Sequence, residues 1–128
     1  MVNEDRRETL IRIENLKAAY GEKNDMILAL DRINLQIKRG EFLCVLGPSG
    51  CGKSTLLKTI AGYLKPTGGS CLMQGKPIEG PDWHRGVVFQ SPTLYPWMSV
   101  KANVEFGPQM RGLPTDKIKE IRRYFLEQ

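Results

Sequence analysis

The residues Gly47-Pro48-Ser49-Gly50-Cys51-Gly52-Lys53-Ser54, followed by Thr55, have the types and the spacing to hold phosphate. They match G-x-x-x-x-G-K-[ST]. Gly47, Gly50 and Gly52 let the backbone take turns that a side chain forbids and let it come close to a ligand. Where such a loop opens a helix, the first amides have no carbonyl partner and converge on one spot. Phosphate oxygens suit that spot, favoured by the positive end of the helix dipole. The dipole contributes only about 0.3–2 kcal/mol, so several amides and the Lys53 ammonium must carry most of the affinity. In this pattern Lys53 reaches the β- and γ-phosphates of ATP and the Ser54 hydroxyl ligates Mg²⁺. Cys51 sits in the same loop, where a thiol at a helix N-terminus is activated; its alkylation is expected to block nucleotide binding.

Such chemistry requires a strand before the loop and a helix after it. Phe42-Leu43-Cys44-Val45-Leu46 is a short unbroken apolar run, as in a strand buried on both faces. Leu56, Leu57, Ile60, Ala61 and Leu64 recur at helical spacing, giving one apolar stripe. Further out, residues 1–9 read as a polar tail. Ile11 and Ile13 alternate with Arg12 and Glu14, and Ile33, Leu35 and Ile37 alternate with polar residues, so both segments read as half-buried strands separated by a turn over Glu22 to Asp25. These strands predict an antiparallel layer added to the nucleotide-binding core. Gly62 and Pro66-Thr67-Gly68-Gly69 end the helix and turn the chain. Ser70 to Met73 is a short strand, Gly75-Lys76-Pro77 a turn, and Val87-Val88-Phe89 a second buried strand closed by Gln90. Pro92 and Pro96 make residues 91–97 a loop. Ser99 caps a short helix reaching Phe106, favoured over the alternating strand reading of Ala102, Val104 and Phe106. Pro114-Thr115 opens a last helix with Ile118, Ile121 and Phe125 on one face.

The 128 residues leave room for one domain, with 41% hydrophobic and 26% charged residues, ordinary values for a globular chain. No apolar run is long enough to span a bilayer, and the charged start is unlike a secretory signal. The net charge of +5 is scattered, so solvated faces account for it more simply than nucleic acid or an anionic membrane. Three cysteines without a C-x-x-C pair argue against a disulfide framework or a zinc site. Cys44 and Cys71 are expected as reduced core residues, and a cytoplasmic compartment fits all three.

Several of these landmarks together resemble the N-terminal half of the ATP-binding-cassette (ABC) ATPases, and within them the subfamily serving nitrate, sulfonate and taurine importers. The resemblance covers residues 10–127. Gly47 to Thr55 is similar to that family's Walker A segment without a departure, and Leu30 to Leu35 with Gly40-Glu41 to its second strand and turn. The subfamily is carried by Ile78-Glu79-Gly80-Pro81-Asp82, Arg85 to Gln90, Leu94, Pro96-Trp97 and Asn103-Val104. The implied fold class is α/β: an incomplete P-loop NTPase core with an N-terminal antiparallel β layer, residues 10–128 forming part of one nucleotide-binding domain whose helical subdomain starts near residue 99. Tyr20 falls where the family stacks an aromatic on adenine; the plainer alternative is that it covers a sheet edge. Gln90 matches the glutamine that contacts Mg²⁺ and the attacking water, against the alternative of a polar strand end. Trp97 and its neighbours face the membrane partner's coupling helix by resemblance, or else pack locally to pin the loop. His84, the only histidine, precedes Gln90 and so is not the family's switch histidine.

The resemblance also implies parts that these residues do not hold. They contain no Leu-Ser-Gly-Gly-Gln signature and no apolar strand ending in Asp-Glu. Phosphoryl transfer needs phosphate positioning, a metal held from both sides and a group orienting water, and the sequence supplies the first and half of the second. Hydrolysis by this chain alone is therefore expected to be negligible, and an open apolar edge beside Val87-Val88-Phe89 is expected. The favoured reading is an ATP-binding subunit at the cytoplasmic face of a membrane, partnered by permease subunits, by a second ATP-binding subunit and, indirectly, by an extracytoplasmic solute-binding protein, with no nucleic acid. The competing readings are a non-hydrolysing nucleotide-binding module and a soluble ABC-type ATPase acting on nucleic acid.

Overall fold

The computed structural model describes residues 8–21, 26–91 and 93–127. The turn expected over Glu22 to Asp25, most of the polar tail and Pro92 lie outside the described residues. The chain divides into two compact units, the first running to Val87 and the second starting at Val88.

In the first unit, strands β1 (Thr9–Tyr20), β2 (Ile27–Lys38), β3 (Gly68–Met73) and β4 (Lys76–Pro77) form one antiparallel sheet in the order β2-β1-β3-β4, with helix α1 (Lys53–Ala61) between β2 and β3 in sequence. The expected antiparallel layer is present, and its first two strands are longer than the alternation suggested. Thr9, read as the end of a tail, opens β1 opposite Lys38. Gly68 and Gly69, read as part of a turn, already belong to β3. The turn at Gln74-Gly75, with φ of +50° and +77°, joins β3 to β4 as a tight hairpin of the kind that needs two positive-φ residues.

The two long strands keep their apolar side inward through a paired irregularity. In β1, Ile13 and Leu16 are buried while Glu14 and Asn15 both face out; in β2, Leu30 is buried while Asp31 and Arg32 both face out. Asn15 and Arg32 take φ of +47° and +49°, a left-handed conformation that costs a side-chain-bearing residue about 1–2 kcal/mol. Asn15 is among the residue types that tolerate it, and its amide donates to Asn34 Oδ1 at 2.9 Å. Gly69 lies at the same level of β3 with φ +74°, pressed on the Asn15 carbonyl so closely that a Cβ would collide with it. Each such bulge adds a residue and bends its strand, so the apolar row returns to the same face. There Ile11, Ile13, Leu16, Ala18, Leu30 and Cys71 bury together with Leu56 of α1. Burying a side chain such as Ile13 or Leu16 is worth roughly 1.5–3 kcal/mol.

In α1, Leu56 and Ala61 are buried and Ile60 is partly buried, but Leu57 is half-exposed and Thr55 and Thr59 take buried positions beside Leu56. The Thr59 hydroxyl donates to the Thr55 carbonyl at 2.9 Å, which satisfies it inside the helix. Gly62 ends α1 as expected, in the left-handed conformation with its amide on Lys58 O and Thr59 O.

Neither apolar run read as a buried strand forms one. Phe42 to Leu46 is irregular and exposed, Phe42 at 93%, and Val87-Val88-Phe89 is likewise irregular. A strand needs a neighbour to take its backbone donors and acceptors. Among the described residues no strand lies beside either run. Cys44 goes with its run and is exposed rather than a core residue, whereas Cys71 is buried in β3.

The second unit holds α2 (Val100–Met110) and α3 (Thr115–Leu126). Ser99 caps α2 by accepting from the Ala102 amide at 3.1 Å, so the helical reading of residues 99–106 holds, and the helix continues to Met110. In α3 Ile118 is buried, but Phe125, placed on the same face by its spacing, is 64% exposed. Arg122 of α3 pairs with the largely buried Glu105 of α2 at 2.7 Å.

Candidate functional site

The glycine-rich segment runs as an exposed loop into α1, as its spacing predicts, though without a preceding strand. Its entry to the helix is fixed at Gly52, the residue before the first helical turn, with φ +94° and ψ +6°. A Cβ there would lie 2.5 Å from the Ala29 carbonyl oxygen and 2.9 Å from Leu30 Cδ2. Gly52 therefore lets the loop rest directly on β2. At the loop's other end a Cβ on Gly47 would meet Cys51 Sγ at 2.7 Å. Pro48, Ser49, Gly50 and Cys51 are all exposed between these two tight points.

Lys53 turns back over this loop. Its ammonium donates to the Gly47 carbonyl at 2.8 Å and the Pro48 carbonyl at 2.6 Å, and lies 3.7 Å from Cys51 Sγ. The first turn of α1 contains no acidic residue and receives no side-chain cap. The helix thus presents its unsatisfied amides and a lysine at one exposed place, with no carboxylate of its own to repel an anion. Ser54, in that first turn, is exposed, while Thr55 is buried at 8%.

Tyr20, at the end of β1, is brought to the same helix: its hydroxyl donates to Thr55 Oγ1 at 3.3 Å, and the residue is 41% exposed. An aromatic ring and the glycine-rich loop thus share one neighbourhood, and the hydrogen bond between them was not legible in the spacing. Gln90 lies in the second unit, exposed at a bend rather than at the end of a strand.

Beyond the loop, Asp82 accepts from the His84 amide at 2.9 Å and meets His84 Nδ1 at 2.5 Å. The His84 backbone amide first, and its ring second, hold the Asp82 carboxyl below the usual carboxylate range. His84 is thus a half-exposed partner of Asp82. Burial pushes the Cys71 thiol up, the Arg85 guanidinium pulling partly the other way. Arg85 also donates to the Gly80 carbonyl, tying that loop to β3 through a 3.6 Å contact with Met73 Sδ.

The segment after Gln90 holds Trp97 and Asn103, both singled out in the sequence, in a set of contacts that the sequence did not show. Trp97 is 78% exposed, with its ring 5.3 Å from that of Tyr95, which in turn meets Phe106 edge-on at 4.8 Å. Beneath them Asn103 makes side-chain hydrogen bonds to the backbone of Tyr95, Met98 and Ser99. The available signal was an amide side chain four residues after the Ser99 cap, behind a proline-containing loop.

A family model described as ABC transporter matches residues 30–127. An ABC transporter ATP-binding protein of Methanocaldococcus jannaschii is 46% identical over 123 residues, covering 96% of this chain and 46% of the relative. The taurine import ATP-binding protein TauB of Roseobacter denitrificans is 50% identical over 115 residues, covering 88% of this chain and 43% of the relative. The chain therefore spans less than half the length of these relatives. Among solved structures, a dimeric bacterial ABC transporter cassette superposes with a TM-score of 0.78 at 32% identity, over 92% of this chain and 55% of that one. A post-hydrolysis cassette dimer bound to ADP and Pi gives 0.76, also at 32% identity.

Proposed function

The chain belongs to the ABC transporter ATP-binding family, and from that premise we propose that it is the nucleotide-binding part of an importer's ATP-binding subunit. The solute is taurine, nitrate, a sulfonate or a related small molecule: the TauB relatives suggest taurine, and the rest of the range comes from the sequence resemblance. One observation carries the reading. Lys53 and the uncapped, acid-free first turn of α1 stand over a loop whose glycines allow contacts that a Cβ would block.

This donor set fits Mg-ATP. Gly47, Pro48, Ser49, Gly50, Cys51 and Gly52 wrap the phosphates, and the amides of Lys53, Ser54 and Thr55 stabilise them as the helix N-terminus does any anion. Lys53 exchanges its loop carbonyls for phosphate oxygens, trading neutral acceptors for charged ones. The exposed Ser54 hydroxyl would be the loop's ligand for Mg²⁺, and the family resemblance alone gives Gln90 as a second ligand. When bound, the metal would supply charge neutralisation at the phosphates. Tyr20 offers its ring to adenine, and its hydroxyl on Thr55 keeps that ring beside the loop. By the family resemblance, Gln90 would sense the γ-phosphate and couple it to the permease. Hydrolysis belongs to a pair of such subunits on the cytoplasmic face of the membrane, docked on permease subunits that an extracytoplasmic binding protein supplies. Among the described residues no helix is long and apolar enough to cross a membrane.

The test is ATP binding by Lys53→Ala. Removing a charge-assisted partner worth about 1.5–3 kcal/mol weakens binding by roughly 10- to 150-fold. Retained affinity would overturn the reading. Tight binding with no turnover, even beside permease and partner subunits, would favour the non-hydrolysing module instead.

A further inference from the structure

We propose that Asn103 is a positioning residue for coupling, locking the 95–99 loop onto the first turn of α2 so that Leu94 and Trp97 are held out as one rigid element with that helix. This rests on the reading above, in which the segment after Gln90 meets the membrane subunits.

The geometry is that of a clamp. Asn103 Oδ1 accepts from the Tyr95 amide at 2.8 Å, and Nδ2 donates back to the Tyr95 carbonyl at 3.1 Å, pairing with one residue on both sides as a strand neighbour does. The same Nδ2 also reaches the carbonyls of Met98 at 3.2 Å and Ser99 at 3.1 Å. The Met98 amide closes a turn on the Tyr95 carbonyl at 3.0 Å, and the Asn103 amide bonds the Ser99 carbonyl at 2.9 Å. The amide and carbonyl of Tyr95 and of Met98 and the carbonyl of Ser99 therefore each meet either the loop's own turn or Asn103. The result is a well-held backbone carrying poorly covered side chains, Leu94 at 72% and Trp97 at 78% exposure. The Tyr95 ring, on Phe106, adds the only aromatic support that the described residues give to the loop from α2.

The residue type decides the function. An amide alone at this size both accepts and donates. Aspartate has the same shape and keeps the acceptor for the Tyr95 amide, but sets a carboxylate against three carbonyls. A space-filling role would rank the variants Asn, then Asp, then Ala. A clamp ranks Asp last, because an unsatisfied repulsive contact is worse than a missing one.

The test uses the ATPase in its complex with the membrane subunits, with Asn103→Ala and Asn103→Asp. Hydrogen exchange of the peptide over residues 93–99 should quicken by about tenfold in Asn103→Ala, equivalent to about 1.4 kcal/mol, and by more in Asn103→Asp. Exchange within α1 should stay unchanged, which separates loop release from misfolding. Partner-stimulated turnover should fall in the same order, with the KM for ATP within about twofold of wild type. Aspartate behaving like asparagine would overturn the clamp. Freed exchange with full stimulated turnover would overturn the coupling role while leaving the transporter reading standing. No stimulation of the wild-type protein by its membrane subunits would overturn the transporter reading, and the coupling role with it.

Discussion

Gly52 is the position at which a single methyl group tests how the loop is seated. Alanine there must keep φ near +94°, in a region that costs an L-residue about 1–2 kcal/mol. Its Cβ would also lie 2.5 Å from the Ala29 carbonyl and 2.9 Å from Leu30 Cδ2. The carbonyl is held in β2, which pairs with β1 along its length, and Leu30 is a core residue at 6% exposure, so neither gives way freely. Overpacking of this kind costs about 1–3 kcal/mol. The lower entropy of the unfolded alanine chain returns about 0.4–1 kcal/mol. Gly52→Ala should therefore lose about 1–4.6 kcal/mol against urea, and about 3 at the middle of these ranges. Gly50 provides the control, since it has φ +79° with open space where a Cβ would go. Gly50→Ala carries the conformational cost alone and should lose no more than about 1.5 kcal/mol. ATP titration of the same variants should show Gly52→Ala weakened more than Gly50→Ala, because moving the start of α1 moves Lys53 and its neighbouring amides together. Equal losses in the two variants, or a Gly52→Ala within about 0.5 kcal/mol of wild type, would refute the argument that the loop rests on β2.

Tyr20→Phe keeps the ring and loses only the contact with Thr55, so ATP affinity should stay within about threefold, whereas Tyr20→Ala loses a base platform worth about 1–3 kcal/mol; equal affinities in titration would assign Tyr20 to the sheet edge. N-ethylmaleimide should modify the exposed Cys44 and Cys51 and spare the buried Cys71. ATP binding should then be lost in the wild type and retained in Cys51→Ser, and unchanged binding after complete modification would refute the placement of Cys51 against the phosphates. Because His84 holds the Asp82 carboxyl below its ordinary range, the stability that this contact lends is full above the unfolded carboxylate value and is lost as pH falls through the lower folded one. Acid titration of the urea midpoint between neutrality and about pH 3 should be shallower in Asp82→Asn, and identical slopes would dismiss the contact.

What could be read from the sequence was what a contiguous stretch decides for itself. The glycine-rich turn into α1, the Ser99 cap and the Gly62 stop each depend on residues within one turn of the chain, and each appears where its residue types placed it. The two apolar runs at residues 42–46 and 87–89 read as strands for the opposite reason. Their composition reports what would surround a buried strand, while strand formation depends on neighbours that composition cannot supply. The bulges at Asn15 and Arg32 were hidden differently. Neither is glycine, and their left-handed backbone follows from keeping Leu16 and Leu30 on the buried side of a bent sheet.

The same distinction explains what spacing left out of the candidate site. Spacing marks Gly52 as a glycine for the phosphates, but its tightest contacts are with Ala29 and Leu30 of β2. Tyr20 was singled out for its ring, and its hydroxyl proves to be the atom that joins β1 to the start of α1. In both cases the residue that a motif assigns to a ligand is also bonded to, or packed on, the sheet. That double use has a mechanical consequence. The N-terminus of α1 is gripped by β2 through Gly52 and by β1 through Tyr20, so the loop's amides are aimed by two strands rather than by the loop alone. Preorganisation of this kind lowers the ordering cost of binding. A loop that is exposed along its length can in this way still present a defined set of donors.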